Sequence, residues 1–266
     1  NGPILTMEED MPRAEAVAVS GGRIAAAGTA AEVFALRGPA TEVTDLAGRA
    51  LLPGFVDGHG HLAKVADSLH SANLAGPPVG EVVDIPSLLD TLRAFIRGRR
   101  IPPGGWVRGR GYDPAFLAEG RHPTRDDLAR ISREHPIHLP GHLVSANSLA
   151  LALAGIGADS ADPPGGIIRR ADGTNEPNGV LEENAMAAFS TGVIPMPSSE
   201  DQMAALEEAQ RIYASQGITT AQEGAMFPAE QALLQEAAAA GRLRIDVAGY
   251  AFWAQAGVML SGAPAG

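Results

Sequence analysis

The 266-residue chain contains no cysteine, and this absence excludes disulfide bonds and thiolate metal ligands. Any metal site must therefore use histidine, carboxylate or lysine-derived ligands. Lysine is almost absent too, since Lys64 is the single lysine of the chain. A chain without cysteine fits the reducing cytosol, and we predict a cytoplasmic protein.

Positive charge is scarce. The chain has 20 basic and 31 acidic residues, which gives a formal net charge of −11. Nucleic acids and anionic membranes bind basic protein faces, so we expect neither as a partner. No apolar run approaches the roughly 18 residues of a membrane span, and the start NGPILTMEED lacks a signal-like core. With 45% hydrophobic residues, the composition indicates a globular protein.

The beginning of the chain is predicted to form a small β unit. Ala16–Gly28 reads as strand, Gly21-Gly22 turn and strand, which is typical of a tight hairpin. Glu42–Gly54 is predicted to add further short strands around a turn at Ala47-Gly48. So many short strands favour a small β-sandwich over a β/α repeat.

The last third has a clearer rhythm. It is predicted to contain a helix from Ser198 or Ser199 to about Gln216, a strand at Gly217–Glu223, a helix at Pro228–Ala240 and a strand at Arg242–Phe252. Alternation of this kind indicates a parallel sheet of βα units.

The middle, at about residues 63–199, shows no such rhythm and holds most of the proline and glycine turns. Within it we predict small elements, among them a helix at Ser87–Gly98 with Ser87 as N-cap and a helix at Pro123–Glu134.

The segment LPGFVDGHGHL (Leu52–Leu62) places two histidines two residues apart behind an apolar run. If the strand continues, Asp57, His59 and His61 project to the same side, and both imidazoles can reach one ion. Asp57 is a candidate to orient a ligating histidine. The spacing alone is also compatible with two solvated loop histidines. The position at the carboxyl end of an apolar strand favours a metal site.

The order of motifs along the chain resembles the amidohydrolase superfamily of metal-dependent hydrolases, in which such a histidine pair ends the first barrel strand. It looks like the subgroup that includes N-substituted formamide deformylases. The segments that carry this resemblance follow LPGFVDGHGHL in order and cover nearly the whole chain: RGRGYDP (Arg108–Pro114), RHPTRDDL (Arg121–Leu128), GHLVSANSLAL (Gly141–Leu151), DPPGG (Asp162–Gly166), GVLEENA (Gly179–Ala185) and GITTAQEGA (Gly217–Ala225).

The resemblance implies an α/β fold with part of a metal-dependent hydrolase TIM barrel beside part of a composite β-sandwich. Residues 1–52 would belong to the sandwich and residues 53–266 to an incomplete (β/α)8 barrel, with an insertion subdomain at about residues 63–199. Barrel strand one would close at Phe55–His61, and GITTAQE and RIDVAGY would be strands two and three.

The same resemblance implies ligands that this chain does not contain. Family members carry a lysine on strand four, histidines on strands five and six and an aspartate on strand eight. We therefore expect the chain to be the first half of a longer protein, with the general-base aspartate beyond residue 266. Three strands cannot close a barrel, so a half-barrel that pairs with another chain, for example as a homodimer, is an alternative.

Four side chains are candidates for a substrate pocket, each beside a simpler structural role: Tyr112, His142, Glu183 and Gln222. His142 could be a turn histidine, and EHPIHLPGHL is shorter before Gly141-His142 than the resemblance leads us to expect. Either Gln222 or Glu223 could face inward at the end of strand two. The histidines at 70, 122, 135 and 138 are predicted to be structural or solvated.

We expect the complete protein to hydrolyse a C–N bond other than a peptide bond in a small amide-type substrate. One or two divalent ions, with zinc preferred, would activate water, and His59 and His61 would supply part of the site. The alternatives are an inactive truncated product, and an esterase or deaminase on the same scaffold.

Overall fold

A computed structural model describes residues 2–141, 143–189 and 192–257. The strands in these ranges are β1 (Ile4–Leu5), β2 (Arg13–Ala14), β3 (Ala16–Ser20), β4 (Arg23–Gly28), β5 (Phe55–Val56), β6 (Ala72–Asn73), β7 (Val107–Arg110), β8 (Ile137–Leu139), β9 (Leu143–Ala146), β10 (Gly166–Arg170), β11 (Pro177–Glu183), β12 (Ile218–Met226) and β13 (Asp246–Ala251). The α-helices are α1 (Ala30–Phe34), α2 (Leu62–Ser68), α3 (Ile85–Arg99), α4 (Arg125–Ala129), α5 (Ser148–Leu153), α6 (Ser199–Ser215) and α7 (Pro228–Ala239). Short 3₁₀ helices span Pro114–Phe116 and Asn184–Phe189.

A three-stranded parallel sheet brings β5 beside the much later strands β12 and β13. Its order is β13-β12-β5, so the long strand β12 lies in the middle and pairs with both neighbours in parallel. Helix α7 connects β12 to β13, as parallel strands require. The parallel βα sheet predicted from the last third of the sequence is thereby confirmed.

Helices α2 and α6 pack against each other and against β12 of this sheet. Small or branched apolar side chains fill the space between them. The buried members of this cluster are Leu62, Ala66, Met203, Ala205, Leu206, Ala209, Ala221, Leu234, Ala237 and Ile245. Ser198 is the N-cap of α6, and its hydroxyl accepts a hydrogen bond from the amide of Asp201, as the sequence pattern predicts.

The middle of the chain builds a second, mixed sheet of six strands in the order β10-β11-β9-β8-β7-β6. The pairs β6–β7 and β7–β8 are parallel, and the remaining pairs are antiparallel. Mixed pairing explains why this region shows no regular βα spacing in the sequence. Most of helix α2 falls within the predicted insertion at about residues 63–199, yet it packs against α6, which lies after the insertion. The boundaries of the domains therefore stay a prediction.

Several helix limits in this region differ from the predicted ones. Helix α3 begins at Ile85 with Asp84 as N-cap, and Ser87 is the third helical residue, whose hydroxyl accepts from the Asp84 amide in a capping box. The predicted Ser87 cap was therefore wrong by one turn. Helix α4 covers only Arg125–Ala129, because Thr124, the residue after Pro123, is its N-cap and Arg130 is its C-cap.

The N-terminal segment forms two separate two-stranded antiparallel ladders, β1–β2 and β3–β4. The hairpin around Gly21-Gly22 is confirmed, and both glycines have positive φ values. The strands predicted within Glu42–Gly54 were wrong, since only Leu51 forms an isolated bridge, to Ile4. Among the described residues, no helix combines the length and apolar character that a bilayer crossing demands.

Leu206 tests the packing of α6. Its side chain is completely buried, so Leu206→Ala should lower the free energy of unfolding by about 2–5 kcal/mol. Leu153→Ala is a matched control, because Leu153 is 53% exposed and should cost about 0.5 kcal/mol or less. Urea denaturation followed by circular dichroism measures both, and equal losses would contradict this assignment of the core.

Candidate metal centre

The two histidines of the HxH segment lie on a loop. Strand β5 ends at Val56, so the prediction that residues Phe55–His61 close a strand was wrong, and strand alternation does not place these side chains. The backbone leaves the extended path after Asp57, whose amide still donates to the carbonyl of Thr220 at 2.9 Å. The loop returns to β12 where Gly224 donates to the carbonyl of Gly60, at 2.9 Å.

The loop nevertheless brings the two imidazoles together. The ring centroids of His59 and His61 are 5.5 Å apart, and the ring planes are nearly perpendicular, at 79°. His59 is exposed and His61 is half-buried, so both rings remain accessible from solvent. This proximity is the property that the HxH pattern predicts.

A hydrogen bond defines the tautomer of His61. Its Nδ1 lies 2.6 Å from the carbonyl oxygen of Gly224, and because a carbonyl only accepts, Nδ1 carries the proton. The lone pair is therefore on Nε2, which is the state that a metal requires of imidazole. Gly224 permits this contact, since a Cβ there would lie 3.3 Å from His61 Cε1 and 3.1 Å from the Gly60 carbonyl.

Asp57 supports the loop rather than a ring nitrogen. Its Oδ1 accepts a hydrogen bond from the backbone amide of His59 at 3.2 Å. Its Oδ2 occupies the space that a side chain on Gly60 would need, 1.9 Å from the Cβ position. The carboxylate thus holds the turn between the two histidines.

The geometry of the pair fits a shared divalent ion. An ion about 2.1 Å from a ring nitrogen lies roughly 3.2 Å from the ring centre, so two rings on one tetrahedral ion have centres roughly 5 Å apart. The observed 5.5 Å is close to that value. Within the described ranges, no group of three or more histidine, aspartate and glutamate side chains is arranged to hold an ion.

The centre and carboxyl half of β12 contribute two side chains to the same loop, because the strand continues to Met226, beyond its predicted end at Glu223. Gln222 Oε1 accepts from the amide of Gly60 at 3.1 Å, and Glu223 Oε2 accepts from the amide of Ala63 at the start of α2. Glu223 is the inward residue of the two, with no exposed surface. Burial raises the pKa of its carboxyl group, although the Ala63 amide, His61 and Lys64 act in the opposite direction.

The predicted pocket residue Tyr112 lies in the six-stranded part of the chain. Its hydroxyl is hydrogen-bonded to His122 Nδ1 at 2.9 Å and to the buried Ser145 Oγ at 3.0 Å. Tyr112 and His122 line a cavity of about 240 Å³ together with Gly111, Asp113, Pro114, Pro140, Gly141 and Leu143. Burial lowers the pKa of His122 and raises that of Tyr112.

Glu183, a further pocket candidate, lies in a different part of the fold from the histidine loop, on β11. Glu183 is exposed at the end of β11, with a φ of +48°, and its neighbour Glu182 is half-buried and paired with Arg169. His142 lies outside the described residues. Tyr112 and Glu183 make no hydrogen bond or ion pair with residues 57–61 in the described part of the chain.

Two residues of these sites were not singled out from the sequence. Glu223 was left as an alternative to Gln222, because strand parity alone does not say which side faces the core. His122 was predicted to be structural or solvated, because its position ten residues after Tyr112 does not reveal that the two side chains meet. The glycines and prolines near both residues indicate local turns, which say nothing about contacts between them.

The geometry defines an α/β protein with a histidine pair at the carboxyl edge of a parallel βα sheet. The family model described as "Amidohydrolase family" matches residues 42–263. Since this match covers most of the sequence, the chain belongs to the amidohydrolase family.

Relatives of known sequence extend this result. The chain is 38% identical over 188 residues to the N-substituted formamide deformylase of Arthrobacter pascens, covering 70% of this chain and 34% of that protein. It is 30% identical over 232 residues to the protein LONG AFTER FAR-RED 3 of Arabidopsis thaliana, covering 86% and 38% of the two chains. The chain thus spans little more than a third of the length of these relatives.

A solved structure has the same fold. An uncharacterized metal-dependent hydrolase from Pyrococcus furiosus superposes with a TM-score of 0.65 at 24% identity, covering 94% of this chain and 49% of that one. At this identity the likeness is one of fold.

The loop geometry can be tested with two glycines of the HxH segment. Gly60→Ala should displace the Asp57 carboxylate and break its hydrogen bond to His59, which costs about 0.5–1.5 kcal/mol and weakens zinc binding. Gly58→Ala is the control, because nothing lies within 4 Å of a Cβ there. Calorimetric zinc titration and thermal unfolding compare the two variants, and identical behaviour would contradict the described loop.

His138 generates a prediction about acid stability. The residue is buried in β8, both ring nitrogens lack a hydrogen-bond partner in the described structure, and its ring packs 4.7 Å from that of Phe189. Burial, with a smaller effect of Arg108, lowers its pKa from 6.5 to about 4. Between these values the unfolded chain binds a proton that the folded chain does not.

The free energy of unfolding should therefore fall by about 3 kcal/mol through this group as the pH drops from 6.5 to 4. His138→Leu should flatten the dependence over that interval. Urea denaturation at a series of pH values measures it, and parallel profiles for the two proteins would refute the assignment.

Proposed function

We propose that the protein hydrolyses a C–N bond other than a peptide bond in a small amide-type molecule, with a divalent metal held in part by His59 and His61. The observation that carries this proposal is the approach of the two rings to 5.5 Å, with His61 Nδ1 directed to the Gly224 carbonyl. Family membership supplies the reaction class.

The residues of this chain would prepare the site. His61 would bind through Nε2, because Nδ1 carries a proton that it donates to the Gly224 carbonyl. Asp57 and Gln222 would keep the loop closed through the amides of His59 and Gly60. When bound, a divalent metal such as zinc polarises a substrate carbonyl and lowers the pKa of water.

The fold that we propose is part of a TIM barrel, in which β5, β12 and β13 are the first three strands and residues 63–199 form a large insertion after the first. The parallel pairing of these strands supports it, as does the position of the histidine loop at their carboxyl edge. Residues 1–52 would contribute strands to a composite β-sandwich.

The segment would form one part of a larger catalytic unit. Zinc sites commonly use three or four protein ligands, and the described residues contain no group of three that could hold an ion. We propose that further ligands, for one or two ions, and the general-base aspartate come from elsewhere in the functional protein. Tyr112, Glu183, His142 and Gln222 remain our candidates for the substrate pocket, and N-substituted formamides are the first substrates to test, after the relative of that name.

The metal site is tested by His59→Ala and His61→Ala in the full chain, with His70→Ala as the matched histidine control. Each of the first two should weaken zinc binding at least about tenfold by loss of one ligand, whereas the control should bind like the unmodified chain. Equilibrium dialysis with metal analysis measures the affinities. Unchanged affinity in both site variants would overturn the proposal.

The catalytic part of the proposal predicts that these 266 residues alone bind zinc weakly and release no formate from N-substituted formamides, since the described residues contain no group of three that could hold an ion. A formate assay with the metal-loaded chain measures this. Robust turnover would show that the described segment is itself a complete enzyme and would refute the proposed division of the site.

A further inference from the structure

The buried carboxyl group of Glu223 has, in the described part of the chain, one oxygen with a hydrogen bond and one without. It is fully buried in the carboxyl half of β12, and one carboxylate oxygen, Oε2, accepts from the Ala63 amide. The other oxygen, Oε1, has no hydrogen-bond partner in the described structure, and it lies 3.9 Å from Nδ1 of His61. A buried carboxylate oxygen left unpaired is costly, so its retention calls for a reason.

We propose that Glu223 is a positioning residue for the metal-binding histidine pair. It would act through His61, by placing negative potential behind the Nδ1–H group while the Gly224 carbonyl takes the hydrogen bond itself. This inference rests on the proposed function, because it assumes that His61 binds a metal through Nε2.

The backbone geometry brings Glu223 to this place. His61 and Glu223 form an isolated antiparallel bridge, so the two residues face each other across the end of the sheet. The bond from Ala63 to Oε2 ties the chain just after His61 to the same carboxylate. One side chain therefore holds the position of the loop and faces the ring that the loop presents.

The chemistry gives this arrangement a direction. A carboxylate near the distal nitrogen of a metal-binding imidazole fixes the ring's tautomer and orientation and raises the basicity of the ligating nitrogen. Here the negative group at 3.9 Å favours the proton on Nδ1 and the lone pair on Nε2. The buried setting strengthens the interaction, because solvent does not screen it.

The size-matched variant is Glu223→Gln. Its amide oxygen can accept from Ala63, but its NH₂ group then faces the Nδ1–H donor of His61, and the flipped amide instead opposes the Ala63 amide. Either orientation sets a donor against a donor. We expect roughly ten- to hundredfold weaker binding of Co²⁺ or Zn²⁺ in the full chain. Glu236→Gln is the control, since Glu236 is exposed on α7, and it should stay within about twofold.

Glu223→Asp separates a role of the charge from a role in shape. Asp keeps the charge but is one methylene shorter, whereas Gln keeps the shape without the charge. If Glu223 acts through its charge on His61, Asp should bind metal more tightly than Gln. If it only fills space and caps α2, Gln should be the better substitute, and that order would overturn the proposal.

A readout without metal keeps this inference apart from the proposed function. In ¹⁵N NMR spectra of the metal-free chain, His61 should be protonated on Nδ1, and Glu223→Gln should shift its ring nitrogen signals. If the unmodified chain binds no metal but these signals shift, the metal site fails while the positioning by Glu223 stands. Unchanged His61 signals together with unchanged metal affinity in Glu223→Gln would refute the positioning role.

Discussion

Strand β12 pairs with β5 on one side and β13 on the other, and its residues 222–224 carry the groups that hold the histidine loop. Three contacts depend on its register, namely those of Gln222, Glu223 and the Gly224 carbonyl. A shift of one residue would exchange the faces of Gln222 and Glu223 and move the acceptor away from His61. The site is therefore as well defined as the pairing of this strand.

The packing beneath the sheet maintains that register. Helix α6 leads directly into β12, and its apolar face packs against α2, which begins one residue after His61. The same hydrophobic cluster thus includes residues of β12, which binds the loop, and of α2, which follows the loop in the chain. Hydrophobic burial is not directional, but here it acts on elements whose ends are joined to the loop, and so it fixes where the loop begins and ends.

Two buried titratable groups show how context separates structure from chemistry. His138 lies in the middle of β8 with aromatic and apolar neighbours, and burial there favours the neutral ring. Glu223 is also buried but lies in the carboxyl half of β12, beside an imidazole and an amide. The first placement has consequences for stability in acid, whereas the second has consequences for the orientation of a neighbouring ligand.

Much of the local structure was predictable because its signals are local. The hairpin at Gly21-Gly22, the Ser198 cap and the alternation of α6, β12, α7 and β13 all follow from turn preferences, capping and periodicity. The six-stranded sheet was not predictable, since strands such as β9 and β11 pair over long sequence distances and the sheet mixes parallel with antiparallel pairs. The predicted strands within Glu42–Gly54 failed for a related reason, because a short apolar run forms a strand only when a partner lies beside it.

For the site, the sequence by itself determined which chemistry was available: no thiolate, a histidine pair two residues apart and glycines that allow a tight loop. Only the tertiary structure decided how these groups are used. It replaced the expected strand by a loop, directed the Nδ1 of His61 to Gly224 and turned Glu223 rather than Gln222 into the core. The physical reason is that residues 57–63 find their hydrogen-bond partners about 160 positions away on β12, and such pairings arise only when the sheet assembles.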